Sequence, residues 1–145
     1  MVGTVGPGTW STTMSTRLEG RCVLVVDDDP DVLDSFDLAL RAEGATTLRA
    51  EDGNQAVSCW RSRNPEAVVL DMMLPKRSGF IVLEELLAAE HPPVVVMVTA
   101  NEGRRHEEYA RGLGVHAYLT KPVPLDTLIE TVAGLLEEHA PGGTG

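Results

Sequence analysis

The chain has 145 residues, 43% of them hydrophobic but only 4% aromatic, so one domain with a core of Val, Leu, Ile and Ala is expected. Its 22 acidic residues against 12 Lys and Arg give a net charge of −10, a field that repels phosphate backbones and anionic membranes. No run is apolar for long enough to span a bilayer, and the first residues lack the charged-then-apolar layout of a signal peptide. A cytoplasmic protein with no direct nucleic-acid or membrane contact is the expectation.

Residues 1–19 are Gly, Thr and Ser with few apolar anchors and read as a disordered tail, with Met14 a second candidate start. Residues 20–139 read as the folded domain and 140–145 as a second short tail. The domain opens on Arg21 to Asp27, a run of branched side chains. Pro30 to Glu43 follows as a helix with Val32, Phe36, Ala39 and Leu40 on one face, Asp29 as its cap and Gly44 as its stop. Ala45 to Glu51 is a weaker, more polar strand, and Asn54 to Arg63 a helix with Ala56, Val57 and Trp60 inward. Ala67 to Asp71 is continuous and apolar, then Ser78 to Glu90 offers Phe80, Ile81, Leu83, Leu86 and Leu87 at helical spacing. Pro93 to Thr99 is a fourth strand, Arg104 to Leu113 a polar helix with Tyr109 and Ala110 inward, and Val115 to Thr120 a fifth strand. Leu125, Leu128, Ile129, Val132, Leu135 and Leu136 complete the last helix. Cys22 and Cys59 fall in apolar elements without metal-ligand spacing and read as buried, reduced thiols.

Five strands alternating with five helices predict a doubly wound α/β fold, a parallel sheet with helices on both faces and right-handed crossovers. All the strand ends then share one edge, where such sheets bind ligands. That edge collects Asp27-Asp28-Asp29 after the first strand, Asp71 after the third, Thr99 after the fourth and Lys121 after the fifth. Two carboxylates about 4 Å apart repel by roughly 4 kcal/mol at an effective dielectric near 20. An all-oxygen donor set without His or Cys suits Mg²⁺, which would relieve the repulsion. Asp71 is then placed as a nucleophile, with Thr99 able to donate to a phosphoryl oxygen and Lys121 to offset its charge. Taken singly, each group has a plainer reading as a turn, cap, strand-end hydroxyl or solvated charge; their conjunction in this order is what points to chemistry.

The same segments resemble the receiver domains of two-component response regulators. Val23-Leu24-Val25-Val26-Asp27-Asp28-Asp29 resembles the family's first strand and acidic pair. Val68 through Gly79 resembles the phosphoacceptor strand with its following Pro and Gly. Val96-Met97-Val98-Thr99-Ala100 resembles the switch hydroxyl before a small residue, and Ala117-Tyr118-Leu119-Thr120-Lys121-Pro122 the Tyr-Leu-x-Lys-Pro motif. The resemblance implies a flavodoxin-like sheet of strand order 2-1-3-4-5. It implies phosphoryl acceptance on Asp71, with Mg²⁺ held by Asp27, Asp28, Asp71 and the backbone carbonyl of Met73. It further implies roles in binding the phosphoryl group for Thr99 and Lys121, a rotamer switch at Tyr118 and a cis Lys121-Pro122 bond. The phosphodonor would be a sensor histidine kinase or phosphotransfer protein. The switched surface would be the fourth helix, fifth strand and fifth helix, with Arg104, Arg105, His106, Arg111, Asp126 and Glu130 on offer. It would serve an unknown protein target or a homodimer.

Met73 and Asn101 stand at positions where the family varies, flanking the path of attacking water; a bulky Met73 is expected to slow hydrolysis. Pro124 replaces a usual helix cap, so the last helix is expected to start later, near Asp126. Three rivals remain: a Mg²⁺-dependent phosphatase, a phosphorylation-independent interaction module and, weakest, a nucleotide-binding flavodoxin-like protein, for which no Gly-rich loop follows the first strand. Because no output domain is legible after the fifth helix, a stand-alone regulator and a receiver cut from a longer protein both stay open.

Overall fold

The computed structural model describes residues 16–100 and 103–139. Strands β1 (Cys22–Val26), β2 (Thr46–Ala50), β3 (Ala67–Asp71), β4 (Val94–Thr99) and β5 (Ala117–Thr120) alternate with helices α1 (Pro30–Ala42), α2 (Gly53–Arg63), α3 (Gly79–Leu87), α4 (Arg104–Leu113) and α5 (Leu125–Glu138). The five strands form one parallel sheet in the order β2-β1-β3-β4-β5. That is the 2-1-3-4-5 order. The chain runs outward from β1 to β2, then crosses back to β3 on the other side, so the order reverses between β1 and β3.

The continuous apolar runs make sense because the sheet is covered on both faces, and alternate side chains feed opposite layers. Val23, Val25, Val69, Val96 and Val98 pack with Leu33, Phe36 and Leu40 of α1 and Leu128, Val132 and Leu136 of α5. Leu24, Val26, Val68, Leu70, Val95 and Met97 pack with Ala56 and Val57 of α2, Val82, Leu83 and Leu86 of α3 and Ala110 of α4. Removing a leucine such as Leu128 to alanine would cost about 2–5 kcal/mol through lost burial and the cavity left behind.

Local chemistry fixes most element ends. Asp29 accepts from the Asp31 N–H and Pro30 takes the first helical position, as expected for α1. Gly44 sits at φ +96° just beyond that helix, a conformation that glycine adopts without a Cβ penalty. Ser78 caps α3 through the Ile81 N–H.

Several details differ from the sequence reading. The first tail was expected to reach residue 19, yet Leu18 is fully buried in the α1–α5 layer and its N–H donates to the Glu43 carbonyl. One leucine in a polar run carries little periodicity, so only packing reveals it. Residues 1–15 and 140–145 lie outside the described residues, as does Asn101. Helix α5 begins at Leu125, directly after Pro124 and one residue before Asp126, with no side-chain cap. Proline's fixed φ suits a helix start, so a cap is not required for one to form. Helix α3 ends at Leu87, and Ile81 on it is half exposed rather than inward. Tyr109 is likewise half exposed, its hydroxyl donating to Glu84 at 3.0 Å. Both cysteines are half-buried free thiols rather than core residues; burial raises the pKa of each.

Candidate functional site

The reversal of strand order leaves a crevice between the carboxyl ends of β1 and β3. Asp27 continues β1, its N–H bonded to the Ala50 carbonyl at 3.1 Å, so its carboxylate is carried to the crevice floor with 2% exposure. One oxygen accepts from the Asp29 N–H at 2.9 Å. The other takes Lys121 Nζ at 2.8 Å. Asp71 ends β3 and is also buried, with Lys121 Nζ 3.8 Å from Oδ1 and the Met73 N–H donating to the same oxygen at 3.4 Å. Asp28 is exposed at the rim. Carboxylate oxygens of Asp27, Asp28 and Asp71 all lie within 4.8 Å of one another.

Two of the three carboxylates, Asp27 and Asp71, therefore share the one ammonium group of Lys121, and the imbalance is visible in the acid strengths. Burial and the Asp27 carboxylate push the Asp71 carboxyl up to about 6, against the opposing pull of Lys121 and the Met73 N–H. Burial alone would lower the Lys121 pKa, but its bond to Asp27 and the charges of Asp71 and Asp29 outweigh that and raise it. Such a donor set, all carboxylate oxygen, fits a small hard divalent cation and suits neither zinc nor copper.

The remaining expected residues surround this core. Thr99 is fully buried at the end of β4, and its carbonyl accepts the Lys121 N–H at 2.8 Å, which sets where the lysine leaves β5. The Lys121-Pro122 bond is cis. Tyr118 lies inward on β5, 9% exposed, with its hydroxyl 4.0 Å from the Met72 sulfur. Burial, helped by the Glu107 charge, raises its pKa. Met73, in the loop after β3, is 63% exposed. Asp27, Asp28, Asp71 and Lys121 thus meet in one cluster, while Met73 stands at its rim and Tyr118 behind Thr99's strand.

Residues 23–133 match the response regulator receiver domain family. The chain belongs to that family. Over 114 residues the receiver is 35% identical to the Mycobacterium tuberculosis protein described as the probable transcriptional regulatory protein TcrX. The match takes in 79% of this chain but 49% of TcrX, so the receiver spans about half the length of that relative. Among solved structures it is similar to the receiver domain of Francisella response regulator 1452, with TM-score 0.78 and 28% identity over 83% of this chain and 99% of that one. A CheY-like receiver domain protein from Methanospirillum hungatei gives TM-score 0.80 and 26% identity, covering 83% and 97% of the two chains. Receiver domains are signalling switches of two-component systems, and this one has the same sheet order and five helices.

Sequence reasoning passed over the ground beside the receiver's site. Asp52 is buried and caps α2 through the Gln55 N–H at 2.8 Å, while the Gln55 side chain accepts the Glu51 N–H at 2.9 Å. The Asp-x-x-Gln spacing before a helical stretch was the available signal. Lys76 in the loop after β3 reaches Asp52 at 3.7 Å. Asp37 of α1 is buried against Thr47 and Arg49 of β2, the Arg49 contact being 2.9 Å. Burial opposes its ionisation, but the bonds from Thr47 and Arg49 and the charges of Arg41 and Arg49 hold its carboxyl below the ordinary value.

Proposed function

We propose that this receiver accepts a phosphoryl group on Asp71 from a sensor histidine kinase or phosphotransfer protein, with Mg²⁺ held by Asp27, Asp28, Asp71 and the Met73 carbonyl. The observation that carries this reading is the gathering of three carboxylates, two of them on one lysine, at a strand-order reversal. An Asp71 carboxylate oxygen would attack phosphorus, forming an acyl phosphate as the phosphorus–nitrogen bond to the donor imidazole breaks and that nitrogen keeps the electron pair. Bound magnesium would supply positive charge to the carboxylates and to the phosphoryl oxygens. Thr99 would donate its hydroxyl to a phosphoryl oxygen, and Lys121 would turn from Asp27 to pair with the new charge.

The modification adds about −1.5 to −2 charges at pH 7. Thr99 and Tyr118 would relay that change to the surface of α4, β5 and α5, where Arg104, Arg105, Arg111, Asp126 and Glu130 are exposed. A downstream protein or a second copy would read that surface in the cytoplasm. An apolar groove of about 550 Å³, lined by Val32, Phe36, Pro122, Val123 and Leu125 next to Lys121, offers the phosphodonor a seat beside the acceptor. Met73, two residues past Asp71, would exclude water from the acyl phosphate through its bulky apolar side chain, so Met73→Asn is expected to shorten its lifetime; an equal or longer lifetime, followed by intact mass, removes that role.

Incubation with Mg²⁺ and a small acyl-phosphate donor, read by intact mass, tests the main reading. One phosphoryl adduct is expected on the wild type, and none with EDTA or in Asp71→Asn. An adduct that persists in Asp71→Asn would place the acceptor elsewhere. A folded wild type that gains none from either the small donor or a kinase would favour a phosphorylation-independent interaction module.

A further inference from the structure

The loop 72–78 carries Met73 and is held from both ends. At its far end the Gly79 N–H donates to the Met72 carbonyl at 2.9 Å, and Gly79 lies so close to β3 that a Cβ there would stand 2.3 Å from the Asp71 carbonyl oxygen. Its middle rests on the start of α2. The Gly53 N–H donates to the Pro75 carbonyl at 3.3 Å. A Cβ on Gly53 would stand 2.0 Å from the Arg77 carbonyl oxygen and 2.5 Å from its Cβ, so only glycine lets the two backbones touch. Lys76 adopts a left-handed φ of 72° and sits 3.7 Å from buried Asp52, while Arg77 pairs with Glu85 on α3 at 3.0 Å. Met73 itself is tied to the cluster by its N–H, which donates to Asp71 Oδ1 at 3.4 Å, and its side chain is exposed.

We propose that the amino end of α2, Gly53 with Asp52, is a positioning device for the loop after β3, setting the Met73 backbone for Mg²⁺ by backbone contact and the Asp52–Lys76 pair. This rests on the reading of the acidic cluster as a Mg²⁺ site. Gly53 and Asp52 touch neither metal nor phosphoryl group; they act through the loop. Groups that orient a metal's direct ligands commonly change affinity when altered, because a misplaced ligand must be moved back before it can bind. A side chain at Gly53 must push Arg77 away, and that displacement is transmitted along a loop whose other end is pinned at Gly79.

Calorimetric titration with Mg²⁺ alone, on folded protein without phosphodonor, reads the effect directly. Gly53→Ala is expected to raise the Mg²⁺ Kd about tenfold. Val132→Ala, in α5 on the opposite face of the sheet, serves as the control for lost stability and is expected to leave Kd unchanged. Lys76→Asn keeps a residue that tolerates left-handed backbone but loses the bridge to Asp52. Removing a cation near the site would by charge alone tighten Mg²⁺ binding, whereas loss of the clamp weakens it; weaker binding supports the proposal. An unchanged Kd in folded Gly53→Ala, or equal weakening in the control, overturns it. Should Gly53→Ala not fold, Lys76→Asn decides, and tighter or equal binding overturns the proposal. A folded wild type that binds no Mg²⁺ would instead remove the reading of the cluster on which it rests.

Discussion

The two ends of the sheet are built on opposite electrostatic terms. At the carboxyl end, Asp27, Asp28 and Asp71 crowd together, with only Lys121 near Asp27 and Asp71 to offset them, and Asp71 is held ionised only against resistance. At the amino end, charged and polar groups near the strand starts are paired. The Cys22 N–H donates to Glu66 at 3.3 Å, Glu66 pairs with Arg21 at 3.6 Å, and the Val95 N–H donates to His116 Nδ1 at 3.0 Å. The same scaffold thus pairs these groups at one edge and leaves the other short of positive charge. The difference teaches that the acidic cluster costs the fold stability rather than supplying it; a bound cation would relieve its repulsion.

The largest expected effect is at the strained end. Asp71→Asn should stabilise the metal-free protein at pH 7 by about 2–3 kcal/mol, since a carboxyl raised from its ordinary value to about 6 resists ionisation in the fold. The sign follows from proton binding: between the ordinary value and about 6 the folded state holds the proton and the unfolded state does not, so wild-type stability falls as pH rises. The gain should therefore vanish near pH 4, and chemical denaturation in EDTA at both pH values checks it. A loss at pH 7 would mean that Asp71 is satisfied by the protein itself, and the contrast between the two ends would fail.

Substitutions at the satisfied end should act in the other direction. His116→Ala strands the buried Val95 N–H and should cost about 1–3 kcal/mol while leaving Mg²⁺ titration unchanged. Glu66→Ala removes a weaker, half-exposed bond to Cys22 and the Arg21 pair, and about 0.5–1 kcal/mol is expected. A change in Mg²⁺ affinity from either would couple ends that the comparison treats as separate.

The smallest effect is a crossed pH response. Burial and the neighbouring His139 ring hold His116 below its ordinary value. Arg21, Glu66, Glu90 and His91 line the same cavity, from the residue before β1 and the loops before β3 and β4. The unfolded state takes the proton first, so the neutral ring's contribution is present above the ordinary histidine value and is lost as pH falls. Acidification from pH 7 toward pH 5 should then favour the fold through Asp71 and oppose it through His116. Denaturation of metal-free Asp71→Asn should show a steeper loss on acidification than the wild type. Parallel profiles would show that the two groups do not set the response.

The amino-acid sequence alone specified the strand–helix alternation, because branched runs between polar helical stretches have few other ways to bury themselves. It also placed Asp27, Asp28, Asp71, Thr99 and Lys121 at strand ends, and a parallel sheet needs only that information to bring them to one edge. It gave the Asp29-Pro30 start of α1 and the Gly44 stop, which are local events between neighbours. Tertiary structure decided what depends on residues distant in sequence. Leu18 is core only because Glu43 and α5 close over it, and Asp37 is tolerated inside only because Thr47 and Arg49 arrive from β2. Lys121 is shared unequally between Asp27 and Asp71, and Gly53 must lack a side chain because the loop after β3 crosses it. Periodicity reports which face a residue takes; contact with a segment that the chain reaches only after folding sets what that face must accommodate.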